Sequence, residues 1–315
     1  MGKKKKLPQI VKDIRAYKTD EINYAYQKNV SFSQFSMYRS CPHKWALQYK
    51  EGHKIFSSTV HTVFGTAIHE ALQHYLDVMY DESAAAADRL DIYTIFEDAL
   101  REEYKLQYKK NKGAHFSSSE ELREFYEDGV EILKTFKRKK GGHFNKKGWY
   151  LVGCEIPVVI TPNKFYNNVI YQGYLDIVMY HEPTETFKII DIKTSTRGWN
   201  DKVKKDEDKQ FQLILYKKFF AEQFNVPVSN IDVEFFILKR KVYDHPDYVI
   251  PRIQTFSPAS GKVKLNKADK ALNSFIGEVF DKNGYKDKNY TPTPSKWNWT
   301  FCPFKDNKEL CSVSE

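Results

Sequence analysis

The run Ile189-Ile190-Asp191-Ile192-Lys193 constrains the fold more than any other part of the chain. It is apolar enough to be a central strand, yet it carries an acid and a lysine, and charged side chains are seldom buried without a partner or a task. Side chains along a strand alternate between faces, so Asp191 and Lys193 point the same way. Upstream, Gly173-Tyr174-Leu175-Asp176 begins a second strand, and His181-Glu182-Pro183-Thr184-Glu185 between them reads as a turn. An antiparallel hairpin centred between Pro183 and Thr184 sets Asp176 directly opposite Asp191, with Cβ atoms about 5 Å apart. Carboxylates that close repel unless something positive lies between them. A hard divalent cation such as Mg²⁺ fits that description. Lys193, one pleat away, could orient a water nucleophile or offset charge on a pentavalent phosphate. A surface hairpin with solvated acids accounts for each acid alone, but not for their apolar setting.

Two helical patterns flank this hairpin. Residues 60–80 repeat apolar side chains at helical spacing, and within them Gly65 and His69 lie four apart on one face. A glycine beneath a histidine allows close approach of another backbone, and neutral imidazole ligates transition metals and Mn²⁺. After Lys193, a helix over 206–224 places Gln212 and Tyr216 on one face, where amide and phenol could hydrogen-bond a phosphate or a water. Taken singly, either pair could be purely structural.

Helices are also predicted over 31–50, 91–110, 119–139 and 262–280, and strands over 150–160, 169–180, 186–193 and 231–240. Ser31 or Ser33 caps the first helix, and Gly141-Gly142 stop the one over 119–139. The fold class is therefore mixed α/β, with a central sheet and a helical N-terminal portion. Residues 1–28 read as a basic flexible arm and 29–315 as a single domain. Within it, 29–145 is mainly helical, 146–240 is the sheet core, and 241–315 is a C-terminal helix and a cysteine-containing tail. The chain has 315 residues, of which Lys and Arg number 50 and Asp and Glu 41, a net charge of +9 that permits a polyanionic partner. No apolar run approaches the roughly 18 residues of a membrane span, and Lys3–Lys6 lead into no apolar segment of a secretory signal. Four scattered cysteines, Cys41, Cys154, Cys302 and Cys311, suit a reducing, cytoplasmic setting better than a disulfide framework.

In order, Gly65…His69, Gly173…Asp176, Asp191…Lys193 and Gln212…Tyr216 resemble the RecB/Cas4-like branch of the PD-(D/E)XK nuclease superfamily. Ser31, Ser33, Tyr38, Cys41, Pro42 and Lys44 resemble its N-terminal helix. The resemblance implies a mixed sheet flanked by helices. It further implies one or two Mg²⁺ or Mn²⁺ ions held by His69, Asp176, Asp191 and the Ile192 carbonyl, with Lys193 placing the attacking water. Gln212 and Tyr216 would contact DNA or support the site, and Glu155 is a further candidate acid. Arg39, Lys44 and Arg197 are candidate DNA contacts, and the lysine runs 3–6, 137–140 and 202–205 could follow a phosphate backbone.

The branch often carries a 4Fe–4S cluster on one N-terminal cysteine and three near the C-terminus. Cys41, Cys302 and Cys311 supply three of the four thiolates. Pairing Cys302 in a C-x-x-C unit leaves Trp299 or Lys305 at the remaining position, and Cys154 is a poor replacement. The expectation is a lost cluster, with the tail packed on the N-terminal helix through Trp297, Trp299 and Phe301. Zinc or an incomplete iron–sulfur site on the three cysteines is the alternative. The implied activity is metal-dependent DNA exonuclease action on ends or single strands, in repair, recombination or replication. The alternatives are a single-strand or structure-selective endonuclease, and a catalytically silent nucleic-acid-binding scaffold. No G-K-[ST] phosphate loop occurs, so a helicase would be a separate partner, as would a single-strand-binding protein. A compact nuclease with a basic arm would suit a phage.

Overall fold

The computed structural model describes residues 6–19, 22, 26–53, 55–144, 146–166, 168–243 and 249–311. In chain order the elements are α1 (Gln9–Ala16), β1 (Lys28–Val30), α2 (Phe32–Ser40), α3 (Pro42–Trp45), α4 (Val60–Asp81), α5 (Ala84–Arg89), α6 (Ile92–Lys110) and α7 (Ser119–His143). They continue with β2 (Trp149–Ile160), β3 (Val169–His181), β4 (Thr186–Ser195), α8 (Asp201–Lys205), α9 (Glu207–Gln223), β5 (Ile231–Lys239) and β6 (Ile253–Phe256). The last are α10 (Lys262–Val279), β7 (Phe280–Asp281), β8 (Gly284–Tyr285) and α11 (Lys296–Thr300). The chain forms two compact units: residues 1–18, 58–156 and 174–260, and residues 19–57, 157–173 and 261–315.

The first unit holds the charged hairpin. β3 and β4 pair antiparallel from Ile177↔Ile190 to His181↔Thr186, the register read from the sequence. β4 pairs parallel with β5 from Phe187↔Ile231 to Ser195↔Lys239, and β5 pairs antiparallel with β6. A parallel pair needs a crossover, which α8 and α9 supply. On one face of this mixed sheet, Ile190 and Ile192 join the core built on Phe64, Ile68 and Leu72 of α4, with Phe96 of α6 and Phe136 of α7. On the other, Phe187 meets Phe220 of α9, ring centroids 5.2 Å apart. Helices therefore cover both faces. Asp191 and Lys193, which alternate with Ile190 and Ile192, lie on the α9 side.

Two expectations change in this unit. The loose arm is partly helix: α1 buries Val11 and Ile14, and Arg15 donates to the carbonyls of Leu151 and Val152, each at 2.9 Å. Of the lysine run at 3–6, Lys3, Lys4 and Lys5 lie outside the described residues. The glycine stop does not operate, because α7 runs through Gly141 and Gly142 to His143. Phe144 behind it is buried and its carbonyl accepts the Tyr80 hydroxyl, an anchor that carries the last turn past two poor helix formers.

In the second unit, β1 pairs parallel with the start of β3, from Lys28↔Val169 to Val30↔Tyr171. The single helix predicted over 31–50 is broken. Ser31 caps α2 by accepting the Gln34 amide, as predicted, but Cys41 is extended because a residue before proline disfavours the helical region. Trp45 is fully buried among Phe275, Tyr285 and Tyr290.

Glycines of α7 give a paired prediction. A Cβ at Gly129 would stand 2.3 Å from Cζ of the buried Phe96, whereas one at Gly141 meets nothing within 4 Å. Gly129→Ala should destabilise by about 1–3 kcal/mol. Gly141→Ala should stabilise by up to roughly 1 kcal/mol. Urea unfolding midpoints of the two variants, moving in opposite directions, check both.

Candidate active site

The ladder between β3 and β4 stops at Ile177↔Ile190, one pair short of the two aspartates. Past that point the Asp176 side chain replaces a backbone partner: its Oδ2 accepts the Ile192 amide at 2.7 Å. His69, from α4, brings Nδ1 to 3.6 Å from the same Oδ2. Glu155, on β2, completes a group in which His69, Glu155 and Asp176 hold their ligand atoms within 4.8 Å of one another. Among the described residues no other trio of His, Cys, Asp or Glu converges in this way.

Glu155 reaches the group through an unusual backbone. Its φ is +51° in mid-strand, a left-handed conformation that costs a residue with a Cβ roughly 1–2 kcal/mol. Gln73, one turn beyond His69 on α4, holds what results. Its Nε2 donates to Glu155 Oε1 at 2.6 Å and to the Asp176 carbonyl at 3.0 Å. Sequence reasoning missed Gln73. The available signal was its place in the i, i+4 line Gly65–His69–Gln73, amid the apolar Ala71, Leu72, Tyr75 and Leu76.

Asp191 stands beside this group rather than in it. It is 2 % exposed, and its Oδ2 lies 2.8 Å from Lys193 Nζ while accepting no well-aligned hydrogen bond among the described residues. Burial raises the Asp191 carboxyl above the usual range, and Lys193 opposes the rise. Asp176 is pushed well up by burial and by the charge of Asp191, against the pull of Lys193 and the Ile192 amide. Burial disfavours the Lys193 ammonium, but Asp191 and Asp176 outweigh it and its pKa is raised. Burial and the Lys193 charge bring His69 down to about 4, against a backbone hydrogen bond to Ile192. At neutral pH the imidazole is therefore uncharged, as a metal ligand must be.

The donor set of one neutral imidazole and hard carboxylates suits a divalent cation, and the upward-shifted acids mark a deficit of positive charge where it would sit. Of the other expected site residues, Gln212 Nε2 donates to the Tyr216 hydroxyl at 3.3 Å. Burial raises Tyr216, and Asp191, Asp176 and Glu155 push it the same way, so this α9 pair lies within electrostatic reach of the acids. Gly65 is not crowded by another backbone: a Cβ there would have the Thr194 side chain as its nearest neighbour outside α4, with Oγ1 at 3.7 Å.

A family model of the PD-(D/E)XK nuclease superfamily matches residues 29–311. The chain belongs to the PD-(D/E)XK nuclease superfamily. Nucleases of this superfamily use divalent metal ions, and the His69–Glu155–Asp176 group is where this chain could hold one. A solved structure named "Putative exonuclease", from Eubacterium rectale, is similar at 12 % identity over 90 % of this chain and 98 % of that chain, with a TM-score of 0.45. None of the curated proteins compared matches the chain.

The other features expected of the chain are placed within each unit in turn. In the second unit, Cys41, Cys302 and Cys311 line one cavity with His43 and Lys44, and all are free thiols. The tail packs there, as expected for Trp299 but not for Phe301. Phe301 is 72 % exposed, the buried ring is Phe304, and Trp299 packs beside it. The Trp297 side chain lies outside the described residues. Arg39 sits over the Phe35 ring at 5.7 Å in the same unit, and Arg197 over the Tyr243 ring at 5.0 Å in the first. Of the lysine runs, Lys137 donates to the Asp88 carbonyl and Lys140 pairs with the Asp88 carboxylate at 2.8 Å, so these two already serve the fold. Among the described residues no helix is long and apolar enough to cross a membrane.

Asp176 yields a stability prediction for the chelator-treated nuclease. A carboxyl whose folded pKa is raised keeps more protons in the fold than when unfolded, so stability falls as pH rises through the folded pKa. Asp176→Asn cannot ionise, and its carbonyl can still accept the Ile192 amide. The variant should melt higher than wild type at pH 8, with the gap closing toward pH 4. Thermal melts across that range check it.

Proposed function

We propose that the protein is a RecB/Cas4-like, Mg²⁺- or Mn²⁺-dependent deoxyribonuclease that hydrolyses phosphodiester bonds at DNA ends or in single strands. The observation that carries this reading is the convergence of His69, Glu155 and Asp176 beside the Asp191–Lys193 pair. The bound ion would neutralise the scissile phosphate and favour ionisation of water. His69 offers a lone pair because it is uncharged at neutral pH. Asp176 and Glu155 offer carboxylate oxygens, with Asp191 and the Ile192 carbonyl at the edge of the group. Lys193 keeps its proton against burial, so its ammonium can hold the attacking water and offset charge gathering on the phosphate. Gln212 and Tyr216 stand on α9 to bind the phosphate or the strand, and Arg197 lies four residues beyond Lys193. Arg39 and Lys44 are further proposed DNA contacts. The three cysteines are read as a remnant of an iron–sulfur site. The setting would be DNA repair, recombination or replication in a cytoplasm, with any helicase or single-strand-binding protein a separate chain.

The test is digestion of end-labelled linear single- and double-stranded DNA alongside closed circles, with Mg²⁺, Mn²⁺ or EDTA. Metal-dependent loss of linear DNA is expected, falling at least about 100-fold in Lys193→Ala and Asp191→Ala. Cutting of circles would instead make it an endonuclease. DNA binding without cleavage in any metal would leave a scaffold.

A further inference from the structure

We infer that Gln73 is a positioning residue for metal binding, holding Glu155 in its strained ligand pose; this rests on the proposed nuclease reading. A primary amide nitrogen carries two hydrogens, and Gln73 Nε2 has two acceptors, Glu155 Oε1 at 2.6 Å and the Asp176 carbonyl at 3.0 Å. Both are oxygens that only accept, so the amide is fixed with its nitrogen toward the acids. Gln73 is 9 % exposed while Glu155 is exposed, so the amide reaches from the protein interior to a carboxylate at the surface. The two bonds join neighbouring pieces of the site: one to a ligand side chain, the other to the backbone that carries the second ligand.

The need for such a clamp follows from Glu155 itself. Its φ of +51° leaves the mid-strand backbone free to relax to the ordinary extended form, which would turn the side chain to the other face of β2. Glu155 also holds a carboxylate oxygen within 4.8 Å of one on Asp176, and like charges that close repel. Gln73 opposes both tendencies with uncharged donors. A lysine there would do so too, but it would add a charge that competes with the cation. The same helix carries His69 one turn earlier, so α4 sets the spacing between the imidazole and the clamped carboxylate.

The experiment is calorimetric titration of Mn²⁺ into the full chain, as wild type, Gln73→Met, Glu155→Ala and the double variant. Gln73→Met keeps length and volume but removes both donors, and should weaken Mn²⁺ binding about tenfold or more. The Mn²⁺ concentration for half-maximal cleavage should rise in parallel while the rate at saturating Mn²⁺ changes much less. In the double variant the loss should be smaller than the product of the two single losses, because Gln73 acts through Glu155. Unchanged Mn²⁺ affinity in Gln73→Met, or losses that multiply, would overturn the inference. Should Gln73→Met not fold, Gln73→Leu takes its place with the same expectations. A wild-type chain that neither binds Mn²⁺ nor cleaves DNA would instead overturn the nuclease reading.

Discussion

The site depends on one hydrogen bond, from the Ile192 amide to Asp176 Oδ2. Where β3 leaves β4, the backbone donors of β4 lose their partners, and a buried orphan amide is costly. The carboxylate fills that role. It keeps Asp176 at the mouth of the gap and lets the strands separate without exposing the ladder. His69, from α4, brings Nδ1 to 3.6 Å from the same carboxylate oxygen.

That bond does not neutralise the site. Asp176 remains pushed upward by burial and by Asp191, and Asp191 has Lys193 as its close cation. One ammonium therefore serves the buried Asp191 and the part-buried Asp176, with Glu155 adding a third negative group. The apolar core around Phe64, Ile68 and Ile192 stabilises the strands that hold this arrangement, so the fold tolerates a local electrostatic deficit. The deficit is the part of the molecule that a divalent cation would relieve.

The hairpin register was legible because a fixed turn and a period of two leave little freedom: a slip of one residue would turn Ile190 and Ile192 out of the core. Its early end was not legible. Nothing in the strand sequence marks where β3 diverges, since divergence depends on the side chain of Asp176 satisfying Ile192. The long helices of residues 60–81, 92–110 and 207–223 were visible for the same reason of periodicity. The failures were local. Pro42 ends a helix that composition alone would continue, and Phe144 carries α7 through two glycines that normally stop one. Arg15 makes a helix of an apparently loose arm because its partners, the Leu151 and Val152 carbonyls, are more than 130 residues away.

Gln73 and Glu155 show a different limit. Glu155 stands out in the sequence only as a candidate acid, and Gln73 only by its i, i+4 spacing from His69; neither signal shows that the two meet. Their meaning appears only when a strand bends to φ +51° and places a carboxylate against a helix amide. A glycine at position 155 would take that backbone without strain, but it would bring no oxygen to the site. In the left-handed glutamate the bend and the carboxylate fall on the same residue, and Gln73, outside β2, hydrogen-bonds that carboxylate. A rigid helix already committed to His69 is well suited to do so, because one turn of pitch fixes the second donor as soon as the first is placed.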